Sequence, residues 1–381
     1  MTRVSLSLAR VLGQESCRTV AMMHRRAVAL GLLALAHTAS SLRALKAAVI
    51  IPGFLNDAND FAPLAASLTA KGIPTAVVPL PIWHWIPQVG GRSVRPHGGS
   101  NTPARPPNIP PTALPRQVRP ILERIDHAVR HVAAMGEAAE SASQPLRVPD
   151  YEYSLPDLWT DFLTNPGGVG SVGGSQYPDE YPTDVEPCGS APTAGPAQGR
   201  VAIIGHSASG WMARIYLSSR AYGGKAYDGA DLVHSLVTLG TPHMTGAGVP
   251  FYSVEWANRE PAPSGVRCLA VGGSGLPGDS SGGLTEGAYS FCTPDGTGGE
   301  SMDGDGLTTL ESAIALDGAE TMVLDGTTHY PWSTAPFADW IAPELTKAYR
   351  EGQPWYGSDQ RVERWLPWLA NGIEPEKSAA D

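Results

Sequence analysis

Cysteine is scarce in this chain. Four are spread over 381 residues, at positions 17, 188, 268 and 292, and none forms a Cys-x-x-Cys pair. That excludes a disulfide-stapled scaffold. Cys268 and Cys292 read as buried free thiols, with a bridge open to them only in an oxidising compartment. Basic charge is also short: 27 Lys and Arg stand against 37 Asp and Glu, a net charge of −10. An acidic chain gives no support to nucleic-acid binding and argues against anionic membrane surfaces. Neutral substrates are admitted more easily than polyanions. Long hydrophobic runs are missing too. The most apolar stretch, residues 27–36, is far shorter than a bilayer span requires. There is no internal repeat, no linker-like stretch after residue 44, and no metal or nucleotide motif, so neither a metal nor another cofactor is expected.

What is abundant is glycine and proline, 43 and 35 residues, beside a hydrophobic content of 42%. Such a chain is ordered but rich in loops. Residues 1–43 have the composition of a targeting leader. Arg3, Arg10 and Arg18 precede Met22-Met23-His24-Arg25-Arg26, the apolar run follows, and Thr38-Ala39-Ser40-Ser41 offers a cleavage site. From Lys46 onward strand and helix signals alternate, which predicts a mostly parallel sheet flanked by helices. Strands are expected at 46–51, 75–79, 200–204, 235–239, 266–271 and 320–324. Helices are expected after Asn56–Asp60 and along the apolar stripe Val118, Ile121, Leu122, Ile125, Val129 and Val132. The reading is one domain over 44–381. Pro/Gly-rich insertions around 82–199 and 272–302 form a cap.

The chemistry concentrates at Ile203-Ile204-Gly205-His206-Ser207-Ala208-Ser209-Gly210-Trp211. A buried strand runs into a helix through small residues with serine at the apex, the pattern of a nucleophile elbow. A tight turn of this kind exposes Oγ, while the following N–H groups face developing negative charge at the helix N-terminus. Ser209 stands where the strict pattern has Gly. A general base is sought downstream of Ser207, where three of the ten histidines lie. His329 follows the last strand and is the expected base, with His243 in Thr241-Pro242-His243 the alternative. The expected acid is Asp305 in Asp303-Gly304-Asp305-Gly306, with Asp303 the alternative. A calcium loop is the competing reading of that segment, but the ligand spacing and closing Glu are absent. The oxyanion donors are assigned to the backbone N–H of Ala208 and of Phe54, with Leu55 as a further option, because Pro52-Gly53-Phe54 ends the first strand.

At these residues the chain resembles the α/β-hydrolase superfamily and, more narrowly, lipase-like and GPI inositol-deacylase-like hydrolases of plants and cyanobacteria. The matching stretches are Val49–Phe54, Asn165–Val169, Ile204–Tyr216, Leu236–His243, Asp303–Gly306 and Pro354–Asp359. The resemblance implies an α/β-hydrolase fold and hydrolase activity on an acyl ester, a lipid ester included. It also implies a plastid location in a phototroph, with the secretory route as the alternative. Pro81, Trp83 and Trp85 are placed to line an apolar acyl pocket or to pack in the core. Two other functions share these residues: acyl transfer, with an alcohol in place of water, and a hydrolase-like binding protein that does no chemistry. No transmembrane helix is expected in the mature chain. The expected partner is a small-molecule or lipid acyl substrate.

Overall fold

The computed structural model describes residues 44–54, 56–81, 85, 113–151, 200–222, 225–246, 249–259, 265–278, 284–330 and 351–373. The leader expected at 1–43, Leu55, Trp83, the Asn165–Val169 stretch, Cys17 and Cys188 lie outside them.

Six strands form one sheet: β1 (Ala44–Ile51), β2 (Thr75–Val77), β3 (Arg200–His206), β4 (Val233–Leu239), β5 (Arg267–Ser274) and β6 (Glu320–Asp325). Their order is β2-β1-β3-β4-β5-β6 and every pairing is parallel. The register across the middle runs Val49↔Ile203, Ile203↔Leu236 and Leu236↔Cys268. Among the described residues six helices of eight residues or more accompany the sheet: α1 (Ala62–Ala70), α2 (Ala113–Met135), α3 (Ala208–Leu217), α4 (Val249–Ala257), α5 (Leu284–Phe291) and α6 (Asp359–Ile373).

The sheet is covered on both faces, which is why its strands read as unbroken apolar runs and not as alternating ones. Alternate residues feed two separate cores. Val49, Ile51, Ile203 and Leu236 pack with α2, α3 and α4, whereas Ala48, Ile50, Ile204, Val237 and Leu269 pack with α1 and α6. Strand β4 is buried along its whole length. Strand β6 ends the sheet and is buried only at Leu324. Among the described residues no helix is long and apolar enough to cross a membrane.

The strands lie where the apolar runs predict them, differing by one to three residues at the ends. The stretch 272–302, expected as a Pro/Gly-rich insertion, differs more. It contains the end of β5 and helix α5. Helix α5 exists because Tyr289 is fully buried, its hydroxyl donating to the Leu276 carbonyl (2.7 Å) and accepting from the Gly306 N–H (2.7 Å). Tertiary packing there outweighs a glycine-rich local composition. Cys268 and Cys292 are buried and unbridged, and burial pushes each thiol up to about 11.

The strand order reverses between β1 and β3, with β2 on one side and β4 to β6 on the other. Loops leaving the carboxyl ends of two such strands part from one another and open a crevice, the usual place for a ligand in an open parallel sheet. Here those loops are Pro52-Gly53-Phe54 after β1 and Ser207 after β3. They stand side by side because Ile51 pairs with Gly205.

Candidate active site

Ser207 sits at the turn between β3 and α3 with φ 53° and ψ −130°, a backbone conformation that side-chain-bearing residues rarely adopt. Several contacts enforce it. The Ser207 N–H donates to the Leu239 carbonyl (2.9 Å), and the Thr241 hydroxyl donates to the Ser207 carbonyl (2.8 Å). Strand and helix approach so closely that a Cβ on Gly205 would lie 2.8 Å from the Gly210 Cα. Glycine at 205 is therefore a packing requirement of the turn. Ser209, the departure from the strict pattern, has a fully buried side chain whose hydroxyl donates to the Pro52 carbonyl. It ties the start of α3 to the loop after β1, a link glycine could not make.

The Ser207 hydroxyl meets His329 Nε2 at 2.8 Å, and His329 Nδ1 meets Asp305 Oδ2 at 2.7 Å. The carboxylate accepts at Nδ1, so the proton resides there, leaving the Nε2 lone pair to receive the serine proton. Asp305 and His329 are buried, and Ser207 keeps 8% of its surface. The other carboxylate oxygen, Oδ1, accepts from the Leu307 and Thr308 N–H groups (3.0 and 2.7 Å). The His329 N–H donates to the Asp305 carbonyl (2.9 Å), so acid and base are also joined through the backbone. A charge relay-like geometry of hydroxyl, imidazole and carboxylate results, all three held in place before any substrate arrives.

The alternatives lie elsewhere. Asp303 accepts from the Gly275 N–H with both oxygens (2.9 and 3.0 Å) and shapes the loop beside the site. His243 is buried, its Nε2 bonded to the Thr238 hydroxyl (3.0 Å) and its Nδ1 at 3.4 Å from the Arg214 guanidinium. Burial first, and the neighbouring Arg214 charge second, hold the His243 ring well below the ordinary imidazole range. It stays neutral and occupied away from Ser207.

The loop after β1 backs directly on the serine: a Cβ on Gly53 would stand 2.9 Å from the Ser207 Cβ. Phe54 follows Gly53 on that loop, and Ala208 follows Ser207 at the start of α3. Neither residue's N–H has a backbone acceptor among the described residues. The loop is braced from behind. The Tyr330 hydroxyl donates to the Phe54 carbonyl (3.0 Å), and Trp85 packs edge-on against the Phe54 ring at 5.6 Å while donating to the Asn56 carbonyl (3.1 Å). Trp85 has no exposed surface. Of the two roles open to it, it fills the packing one. Pro81 is half-buried.

Two residues next to the triad have no motif to announce them. The His206 ring is fully buried, and its Nε2–H donates to the His329 carbonyl (2.7 Å). Burial, then the neighbouring His329 ring, holds it well below the ordinary imidazole range. Tyr356 is fully buried, its hydroxyl at 2.7 Å from Asp305 Oδ2. Burial first, and the Asp305 charge next, hold that phenol well above its ordinary range. Both belong to stretches the sequence singles out for other reasons: the elbow and the Pro354–Asp359 match. No group of three or more His, Cys, Asp or Glu side chains with metal-binding geometry occurs among the described residues. Compared with known proteins, the chain matches no protein-family model and no curated sequence.

Proposed function

We propose that this protein is a serine hydrolase of the α/β-hydrolase superfamily, lipase-like, which cleaves carboxylic acyl esters through an acyl-enzyme on Ser207. The observation that carries the proposal is the continuous chain from Ser207 Oγ through His329 to Asp305, at 2.8 and 2.7 Å, on a strained turn at the switch point of a parallel sheet. A serine held at positive φ is a destabilising choice of roughly 1–3 kcal/mol. Its presence beside a correctly oriented imidazole supports chemistry over mere binding.

In the proposed reaction Ser207 Oγ attacks the ester carbonyl as its proton passes to His329 Nε2. Asp305 stabilises the imidazolium without taking the proton. The tetrahedral oxyanion is held by the Phe54 and Ala208 N–H groups, with the positive end of the α3 dipole behind the latter. His329 then protonates the departing alcohol. Water, deprotonated by the same nitrogen, releases the acid and regenerates Ser207. Within the proposal residues 1–43 are a leader that directs the protein to a plastid.

Ser207→Ala is the decisive variant. It is expected to lower kcat on short-chain nitrophenyl esters by about 10³-fold or more, with folding intact. It should also abolish covalent labelling by a fluorophosphonate. Ester turnover that survives the substitution would overturn the mechanism.

A further inference from the structure

We infer that Tyr356 is a positioning residue of this site, whose hydroxyl sets how strongly Asp305 holds the proton on His329. The inference rests on the triad proposed above and concerns a group that touches neither the serine nor the imidazole. Tyr356 Oη and His329 Nδ1 both stand 2.7 Å from the same oxygen, Asp305 Oδ2, while Oδ1 is taken by two backbone N–H groups. Two donors on one carboxylate oxygen share its charge, so each weakens the other's bond. The Gly273 N–H in turn donates to Tyr356 Oη (2.7 Å). A hydroxyl that accepts such a bond becomes a stronger donor through its own proton.

The placement is enforced. Gly273 is the penultimate residue of β5, where a Cβ would lie 2.9 Å from both the Asp305 Cβ and Tyr356 Oη, so only glycine lets carboxylate and phenol meet above that strand. Tyr356 and Asp305 are both fully buried, so water cannot stand in for the hydroxyl. The phenol is also anchored from outside the site: Trp365 Nε1–H donates to the Tyr356 carbonyl (3.1 Å), and the Thr328 N–H donates to the Pro354 carbonyl (2.9 Å). The segment carrying Tyr356 is thereby fastened to the loop carrying His329. A residue that merely filled this space could be phenylalanine. What the hydroxyl adds is a set point for the acid.

The test compares the full-length protein with its Tyr356→Phe variant. Loss of the hydroxyl leaves Oδ2 to His329 alone, so the imidazolium is held more tightly. The acid limb of the kcat/KM profile on a nitrophenyl ester should move up by about 0.5–1 pH unit. The far-downfield proton resonance of His329 Nδ1–H should move further downfield. Because the Phe variant also leaves the buried Gly273 N–H without its acceptor, which weakens folding, 3-fluorotyrosine at position 356 supplies a second arm. Its more acidic hydroxyl donates more strongly, and both signals should move the opposite way. A lower melting temperature with both signals unchanged would reduce Tyr356 to a packing residue and overturn the inference. The resonance needs no turnover. If it moves as expected in a protein that cleaves no ester, the hydrolase proposal falls while the Tyr356–Asp305–His329 coupling stands.

Discussion

Ser207 and Gly136 have almost the same backbone conformation, φ 53°, ψ −130° and φ 53°, ψ −128°, each immediately before a helical segment. At position 136 nothing stands within 4 Å of an added Cβ, so glycine serves the dihedral angles alone. At position 207 a serine bears the same strain, held by Thr241 and Leu239. Relief of that strain has a measurable sign. Ser207→Gly and Ser207→Ala both lose the hydroxyl, yet the glycine variant no longer bears a side chain at positive φ. It should be more stable than the alanine variant by about 1 kcal/mol, after subtracting the larger unfolded-state entropy of glycine. Urea unfolding of the two variants checks this, and equal midpoints would mean the turn is unstrained. The same contrast explains which residues are legible in the sequence. Ser207, Asp305 and His329 follow a spacing dictated by strand ends and turn chemistry. Tyr356 reaches Asp305 across 51 residues and His206 reaches the His329 carbonyl across 123. Neither contact leaves a local pattern, because a buried hydrogen bond between distant loops depends on the finished fold.

Among the elements, the six strands are legible because burial on both faces makes them continuous apolar runs. The helices fare unevenly. Helix α2 shows its stripe of Val118, Ile121, Ile125 and Val129 plainly despite Pro120, whereas α6, which buries Val362, Trp365 and Leu369 and contains Pro367, is not among the expected helices. Helix α5 is visible only through the burial of Tyr289. Strand β1 bears on the leader. It begins at Ala44 and takes its place between β2 and β3, so its pairing uses residues from Ala44 onward. If residues 1–43 are the proposed leader, a chain beginning at Leu42 is expected to melt within about 2 °C of the full-length protein. It should also keep its ester hydrolysis. A drop of several degrees by scanning calorimetry would show instead that residues preceding Leu42 pack on the domain.

For the molecule as a whole, two histidines are kept neutral in the interior. His206 and His243 are held well below the ordinary imidazole range by burial, with His329 and Arg214 as the respective charged or chargeable neighbours. Arg214 itself is buried among neutral partners, the Asn258 side chain (2.8 Å) and the Ala257 carbonyl (2.9 Å), and burial brings it down to about 10. It remains a cation at neutral pH and opposes a proton on His243. In the unfolded chain both imidazoles take up a proton near pH 6.5, so between that pH and the depressed folded values the unfolded state binds more protons. Stability is therefore fully present above about pH 6.5. It is lost as pH falls, by up to about 1.4 kcal/mol per pH unit for each ring. Urea midpoints measured from pH 8 to pH 5 should drop along this slope, and His243→Gln should make the slope shallower. A flat profile would mean the rings protonate without unfolding the protein.

Ser207 stands at the end of β3, well inside the sheet, whereas Asp305 lies over the end of β5 and His329 is carried by the loop that leaves β6, the last strand. Three strand spacings of about 4.8 Å separate β3 from β6, so the loop carrying His329 reaches back roughly 14 Å over the ends of β4 and β5. Among the described residues β6 is paired on one side only and buried at a single side chain. Fraying of such an edge is a smaller and more frequent event than melting of the sheet. Fraying of β6 is therefore expected to draw His329 from Ser207 while five strands still stand and Asp305 stays braced at the end of β5, and return of that one strand to be enough to restore the contact.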